Sequence, residues 1–185
     1  MTTHTVGVIE LASLSKGFEV SDAVLKSARV EKLLGRTVCS GKYLILVRGS
    51  YADVESSLAT ARDTGGFAVV AALAVPNVEE AVFSALAGAA EHDPRDTDGL
   101  LVVETFSAAS AIKAGDMAVK EAGVALLRIH AAMAIGGKGL VVCTGDVESL
   151  KSALAPVLDF LKDEGMLAGY ALLPHPHPDV LRELL

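Results

Sequence analysis

Asp22-Ala23-Val24-Leu25-Lys26-Ser27-Ala28, with Glu10 ahead of it and the turn Gly41-Lys42 behind it, has a second version later in the chain. There Asp116 and Lys120 are preceded by Glu104 and followed by Gly137-Lys138. An offset of 94 places Glu10 on Glu104, Asp22 on Asp116, Lys26 on Lys120 and Val30 on Val124. Two extra residues before the second turn move the offset to 96, where Gly49 meets Gly145 and Leu58 meets Leu154. A further small insertion aligns Pro76 with Pro174. Solenoid units run to roughly 20–50 residues, so a period this long marks a duplicated whole domain. A chain of 185 residues then divides into two small domains, each just large enough to bury a core. The expected boundaries are 1–92 and 97–185, with the stretch 91–99, where Asp, Pro and Gly concentrate, as the linker.

Within the first copy, Val6 to Leu11 is a short β-branched run that reads as a strand. Val20, Ala23, Val24, Ser27 and Ala28 follow at helical spacing on one face of small residues. Val30 to Val38 and Lys42 to Val47 are strands joined by the tight Cys39-Ser40-Gly41 link, short enough for a hairpin. Ser50 and Asp53 form an acidic capping box for a helix that buries Val54, Leu58 and Ala61. Phe67 to Val75 is the fourth strand and residues 77–90 a small helix. The second copy repeats the order with strands at 100–105, 124–130, 139–144 and 167–173 and helices at 111–122 and 147–161. Pro156 lies inside the last of these and should kink it, since it lacks an amide donor. The fold class is therefore α+β, two tandem βαββαβ domains of ferredoxin-like type.

Half of the residues are apolar, but aromatics are few and Trp is absent, which suits sheets under closely packed helices better than a deep cofactor cleft. A net charge of −7 with scattered Lys and Arg supplies no basic stripe, so nucleic acid is not an expected partner. Met1 to His4 shows no basic cluster ahead of an apolar run, and no apolar run reaches the roughly 18–20 residues of a membrane span. The expectation is a cytoplasmic protein with no membrane partner. Two cysteines, Cys39 and Cys143, are too few for a disulfide framework.

Gly7-Val8-Ile9-Glu10, then Asp22 to Ala28, then the Gly41-Lys42 turn, resemble the bacterial microcompartment shell domain, and the second copy resembles it too. The doubled form is similar to the tandem-domain shell proteins of that family, BMC-T. Thr37-Val38-Cys39-Ser40-Gly41-Lys42 looks most like their propanediol-utilisation T type, whose pore loop carries a cysteine. The resemblance implies a homotrimer forming a pseudohexameric disc that tiles edge to edge with other shell proteins. It places Lys26 and Lys120 at the disc edge, and a pore loop at Cys39, Ser40 and Gly41 with Ile135, Gly136 and Gly137 as its second-copy counterpart. Asn77 and His175 stand where the family usually has arginine, and Ser40 where proline is expected, which implies a looser loop.

The resemblance further implies that three Cys39 thiols, one per subunit, hold three irons of a shared [4Fe-4S] cluster. The fourth iron would be left to water or another small ligand. Such a tile would move electrons through the shell or deliver a cluster to an encapsulated redox enzyme. Position alone also allows Cys39 to be a turn-flanking thiol with no ligand. The same tile without a cluster would be a metabolite pore, with the backbone amides of Gly136-Gly137 available to an anion. A different class, a regulatory protein binding a small effector at its glycine turns, is separated from these by self-assembly into sheets. Cys143 reads as core, Glu10 and Glu104 as equivalents produced by duplication, and His130 as a satisfied core or rim histidine. His175 and His177, set among alternating prolines, have the spacing of a surface metal pair but equally of a stiff extended segment. No acid, base and nucleophile share a recognisable spacing, so an enzyme is not expected.

Overall fold

The computed structural model describes residues 5–89, 98–131 and 135–182. Part of the linker reading, 91–97, lies outside the described residues. The first sheet contains β1 (Thr5–Leu11), β2 (Glu31–Val38), β3 (Lys42–Gly49) and β4 (Val69–Val75), in the order β2-β3-β1-β4, with each adjacent pair antiparallel. Two helices, α1 (Leu14–Ser27) and α2 (Tyr51–Gly65), cover one face. Val20 and Val24 from α1 and Val54, Leu58 and Ala61 from α2 join Ile9, Leu11, Tyr43, Ile45 and Val47 in a single core.

Local chemistry explains where these elements begin. The Ser13 hydroxyl accepts the Lys16 amide at the start of α1, and the Ser50 hydroxyl accepts the Asp53 amide at the start of α2. α1 lies so close to β3 that a Cβ on Gly17 would sit 2.3 Å from Tyr43 Cγ, so only glycine fits there. The fourth strand starts two residues later than its apolar run suggests. Gly66 adopts φ 53° and opens a 3₁₀ turn over Gly66–Ala68 that leaves Phe67 fully in solvent. Hydrophobicity alone does not register that left-handed break.

The second sheet repeats the plan. It contains β5 (Gly99–Thr105), β6 (Ala125–Ala131), β7 (Gly139–Gly145) and β8 (Leu167–Pro174), in the order β6-β7-β5-β8. Its helices are α4 (Ala108–Ala122) and α5 (Val147–Asp163), the latter continuing through Pro156. α5 buries Leu150, Ala153, Leu154, Val157 and Leu161. The exposed Asp146 caps α5, and its hydrogen bonds from the Ser149 hydroxyl and amide hold its carboxyl below the usual carboxylate range. Two short helices complete the set, α3 (Glu80–Ala87), which starts three residues after Asn77, and α6 (Pro178–Arg182).

The described residues divide into two compact units that do not follow the repeat boundary. Residues 5–78 with 107–109 and 135–137 form one, and 79–106, 110–131 and 138–182 form the other. The second unit thus includes α3, which follows the first sheet in the chain but packs against β6. No described helix is long and apolar enough to cross a membrane.

Candidate functional site

The hairpin link between β2 and β3 is a single 3₁₀ turn, Cys39–Gly41. Ser40 and Gly41 both lie in the left-handed region, at φ 64° and 69°. Proline is fixed near φ −65° and could not occupy position 40 of this turn, whereas serine reaches it at modest strain. Ser40 thus holds a conformation that proline would forbid. Cys39 is partly exposed at the first position of the turn.

The second-copy loop residues come to the same compact unit. A Cβ on Gly137 would lie 3.1 Å from Ser40 Oγ and 3.5 Å from the Cys39 carbonyl, so a bare backbone lets the two turns touch. Gly136 and Gly137 hold φ 66° and 82°, and Ile135 is partly buried. Of the six loop residues named from the sequence, then, the described structure joins Cys39, Ser40 and Gly137 by contact.

Beneath the turn lies an arrangement that sequence reasoning treated as a by-product of duplication. The Glu10 side chain is fully buried, and a buried carboxylate survives only with its oxygens satisfied. Lys42 Nζ donates to its Oε1 at 2.9 Å. Ser107 Oγ and the Ala109 amide donate to its Oε2 at 2.8 and 3.1 Å. Lys42 Nζ also reaches the Gly137 carbonyl at 3.3 Å, which ties the carboxylate to both turns. The signal in the sequence was the pairing itself: a Glu in an apolar strand and a Lys at the end of the facing hairpin, present in both copies. The copies use it differently, because Glu104 bonds Lys138 at 3.1 Å with both side chains nearly half exposed.

The remaining candidates separate cleanly. Cys143 is completely buried, and desolvation pushes its thiol up to about 12, so it stays protonated and unreactive. Lys26 is exposed and pairs with Asp22 one helical turn back. Lys120 makes the same pair with Asp116, whose carboxylate is buried and also accepts the Glu79 amide at 2.9 Å. His177 Nδ1 accepts the Asp179 amide at the start of α6, so that nitrogen serves a local turn. Among the described residues, no three His, Cys, Asp or Glu side chains are placed to hold a metal ion. Of the two cysteine thiols, only that of Cys39 is accessible. An iron-sulfur cluster fits this donor set only when several chains contribute the same thiol.

Comparison with known proteins adds to this geometry. The family model described as the BMC domain matches residues 5–88 and again residues 100–176. The chain is 36% identical to the bacterial microcompartment shell protein PduT of Citrobacter freundii, over 99% of this chain and 98% of that one. A crystal structure of a microcompartment protein from Desulfitobacterium hafniense superimposes with a TM-score of 0.82 at 36% identity, covering 98% of this chain and 99% of the other. A fused, permuted hexameric shell protein of the RMM microcompartment shares the fold, with a TM-score of 0.64 at 21% identity over 88% of this chain and 85% of that one.

Proposed function

The chain belongs to the BMC domain family, carrying that domain twice, and on this premise we propose that it is a structural shell protein of a bacterial microcompartment. Three copies form a pseudohexameric disc, and discs tile edge to edge with other shell proteins. Lys26 and Lys120 lie along the tiling edge. The role is structural rather than catalytic, in keeping with the similarity to PduT along almost the whole of both chains.

The finer reading assigns the centre of the disc to Cys39. Three Cys39 thiolates, one from each chain, hold three irons of a [4Fe-4S] cluster and leave the fourth to water or a small ligand. When bound, the cluster supplies one-electron transfer across the shell or a cluster for delivery to an enclosed redox enzyme. The residues of this chain have separate tasks. Cys39 binds, the left-handed Ser40-Gly41 pair fixes the turn that presents it, and the Glu10–Lys42 pair anchors that turn from below. The observation that carries the reading is the contrast between the two thiols: Cys39 at a partly exposed turn, Cys143 sealed in the core.

A second reading draws on the turn of Gly136 and Gly137, where Gly136 is exposed and carries no side chain to bar an anion or small polar metabolite. On that account the disc is a cluster-free metabolite pore. Iron and acid-labile sulfide content with electron paramagnetic resonance, on anaerobically purified protein beside Cys39→Ser, decides between them. Near one cluster per trimer, absent in the variant, supports the redox tile. No iron in either after reconstitution leaves the metabolite pore.

A further inference from the structure

The two copies share a sequence pattern but not a pattern of burial, and the difference falls on one set of equivalent positions. The offset of 94 takes Glu10 to Glu104, Ser13 to Ser107 and Ser15 to Ala109. Glu10 is fully buried, and Ser107 Oγ and the Ala109 amide, at the first turn of α4, donate to it. Glu104, its equivalent, is 45% exposed. Ser15, the equivalent of Ala109, lies in solvent at the first turn of α1. The helix N-terminus that a carboxylate occupies in one copy stands open in the other, and the carboxylate that should fill it is equally open.

The neighbouring positions repeat the contrast. Leu14 is 41% exposed where its equivalent Ala108 is sealed, and Phe18 is 65% exposed where Ile112 is at 1%. Asp22 is 64% exposed, whereas Asp116 is 4% exposed and accepts the Glu79 amide. On the other partner, Val82 of α3 is buried, while Val180, its equivalent in α6, is 40% exposed. Exposed apolar side chains next to an unfilled carboxylate site make one coherent surface. Its complement is already written in the chain, as the parts of the second copy that correspond to what surrounds α4.

We propose that the first turn of α1, with Ser13, Leu14, Ser15 and Phe18, binds a second copy of this chain through that copy's Glu104. The Glu104 carboxylate accepts from the Ser13 hydroxyl and the Ser15 amide, as Glu10 accepts from Ser107 and Ala109. Because the two surfaces differ, the contact is head-to-tail, and a threefold rotation closes it into a ring. This rests on the trimeric reading above and names the surface that closes the trimer.

Charge reversal tests it. Glu104→Lys puts a cation at the positive end of α1, and Ser15→Asp puts a second carboxylate beside Glu104; both positions are exposed in the single chain, and aspartate is favourable in a first helical turn. Sedimentation equilibrium should show each single variant with a trimer dissociation constant raised about a hundredfold or more. The E104K/S15D double variant, with the charges exchanged, should recover to within about tenfold of the native chain. Glu104→Gln, which keeps the shape, should weaken the trimer in the same direction as E104K. An unchanged trimer in E104K, or a double variant no better than the singles, overturns the assignment while leaving the trimer itself standing. A native chain that stays monomeric at every concentration overturns the trimeric reading instead.

Discussion

Replacing Lys42 with methionine tests the buried pair under the turn. The substitution keeps the length and apolar stem of the side chain and removes only the cation. Glu10 would keep its donors at Ser107 and Ala109 but lose the charge that faces Oε1 at 2.9 Å. Removing one partner of a buried ion pair costs about 3–5 kcal/mol, because the other charge is left uncompensated. Lys42 is 16% exposed, so the lower end applies, about 3 kcal/mol. For a chain of this size that lowers Tm by roughly 6–12 °C. The assay is urea unfolding of Lys42→Met, Glu10→Gln and the double variant. The double should be more stable than the sum of the singles by at least about 1 kcal/mol, since the neutral amide no longer needs the cation. An exposed control exists in the cross-strand pair Arg48–Glu31, where Arg48→Ala should cost less than about 1 kcal/mol. If Lys42→Met costs no more than Arg48→Ala, or the cycle is additive, the pair does not anchor the turn.

Three shorter tests follow from other residues. A thiol reagent at neutral pH should modify one cysteine per native chain, at Cys39, and two after unfolding; modification of native Cys143 would contradict its burial and raised pKa. Gly17→Ala should destabilise the chain by about 1–3 kcal/mol through collision with the Tyr43 ring, measured by thermal melting, and a neutral result would mean that α1 and β3 are not so close. The double substitution Lys26→Ala with Lys120→Ala should leave trimers intact in solution while weakening sheet formation in electron micrographs. Robust sheets would remove both lysines from the tiling edge.

Duplication, element order and the antiparallel hairpin at residue 39 were legible because they rest on periodicity and turn chemistry, which are local. Phe67 was misplaced into a strand because apolarity does not report the backbone sign at Gly66. The role of Glu10 was missed for a different reason. Its partners Ser107 and Ala109 lie almost a hundred residues away, and a sequence records neither their approach nor the burial that makes the contact strong. Repetition even concealed it, since an identical residue in each copy invites an identical role, and here one carboxylate is buried and the other exposed. The Cys39 turn was located, but the conformation of Ser40 was not, because serine rarely takes a positive φ without a tertiary reason.

The bond from Glu10 to Ser107 and Ala109 makes the ancestral doubling hard to undo. A gene split between the copies would leave the first product with a carboxylate stripped of its donors at Ser107 and Ala109 and the second with an unfilled helix start. Two such polypeptides would have to meet by diffusion, whereas tethered copies meet at an effective concentration in the millimolar range. Once fused, the copies could diverge without risk of mixing. A sulfur-bearing turn in one and Ile135 at the matching place in the other are then inherited in fixed one-to-one stoichiometry.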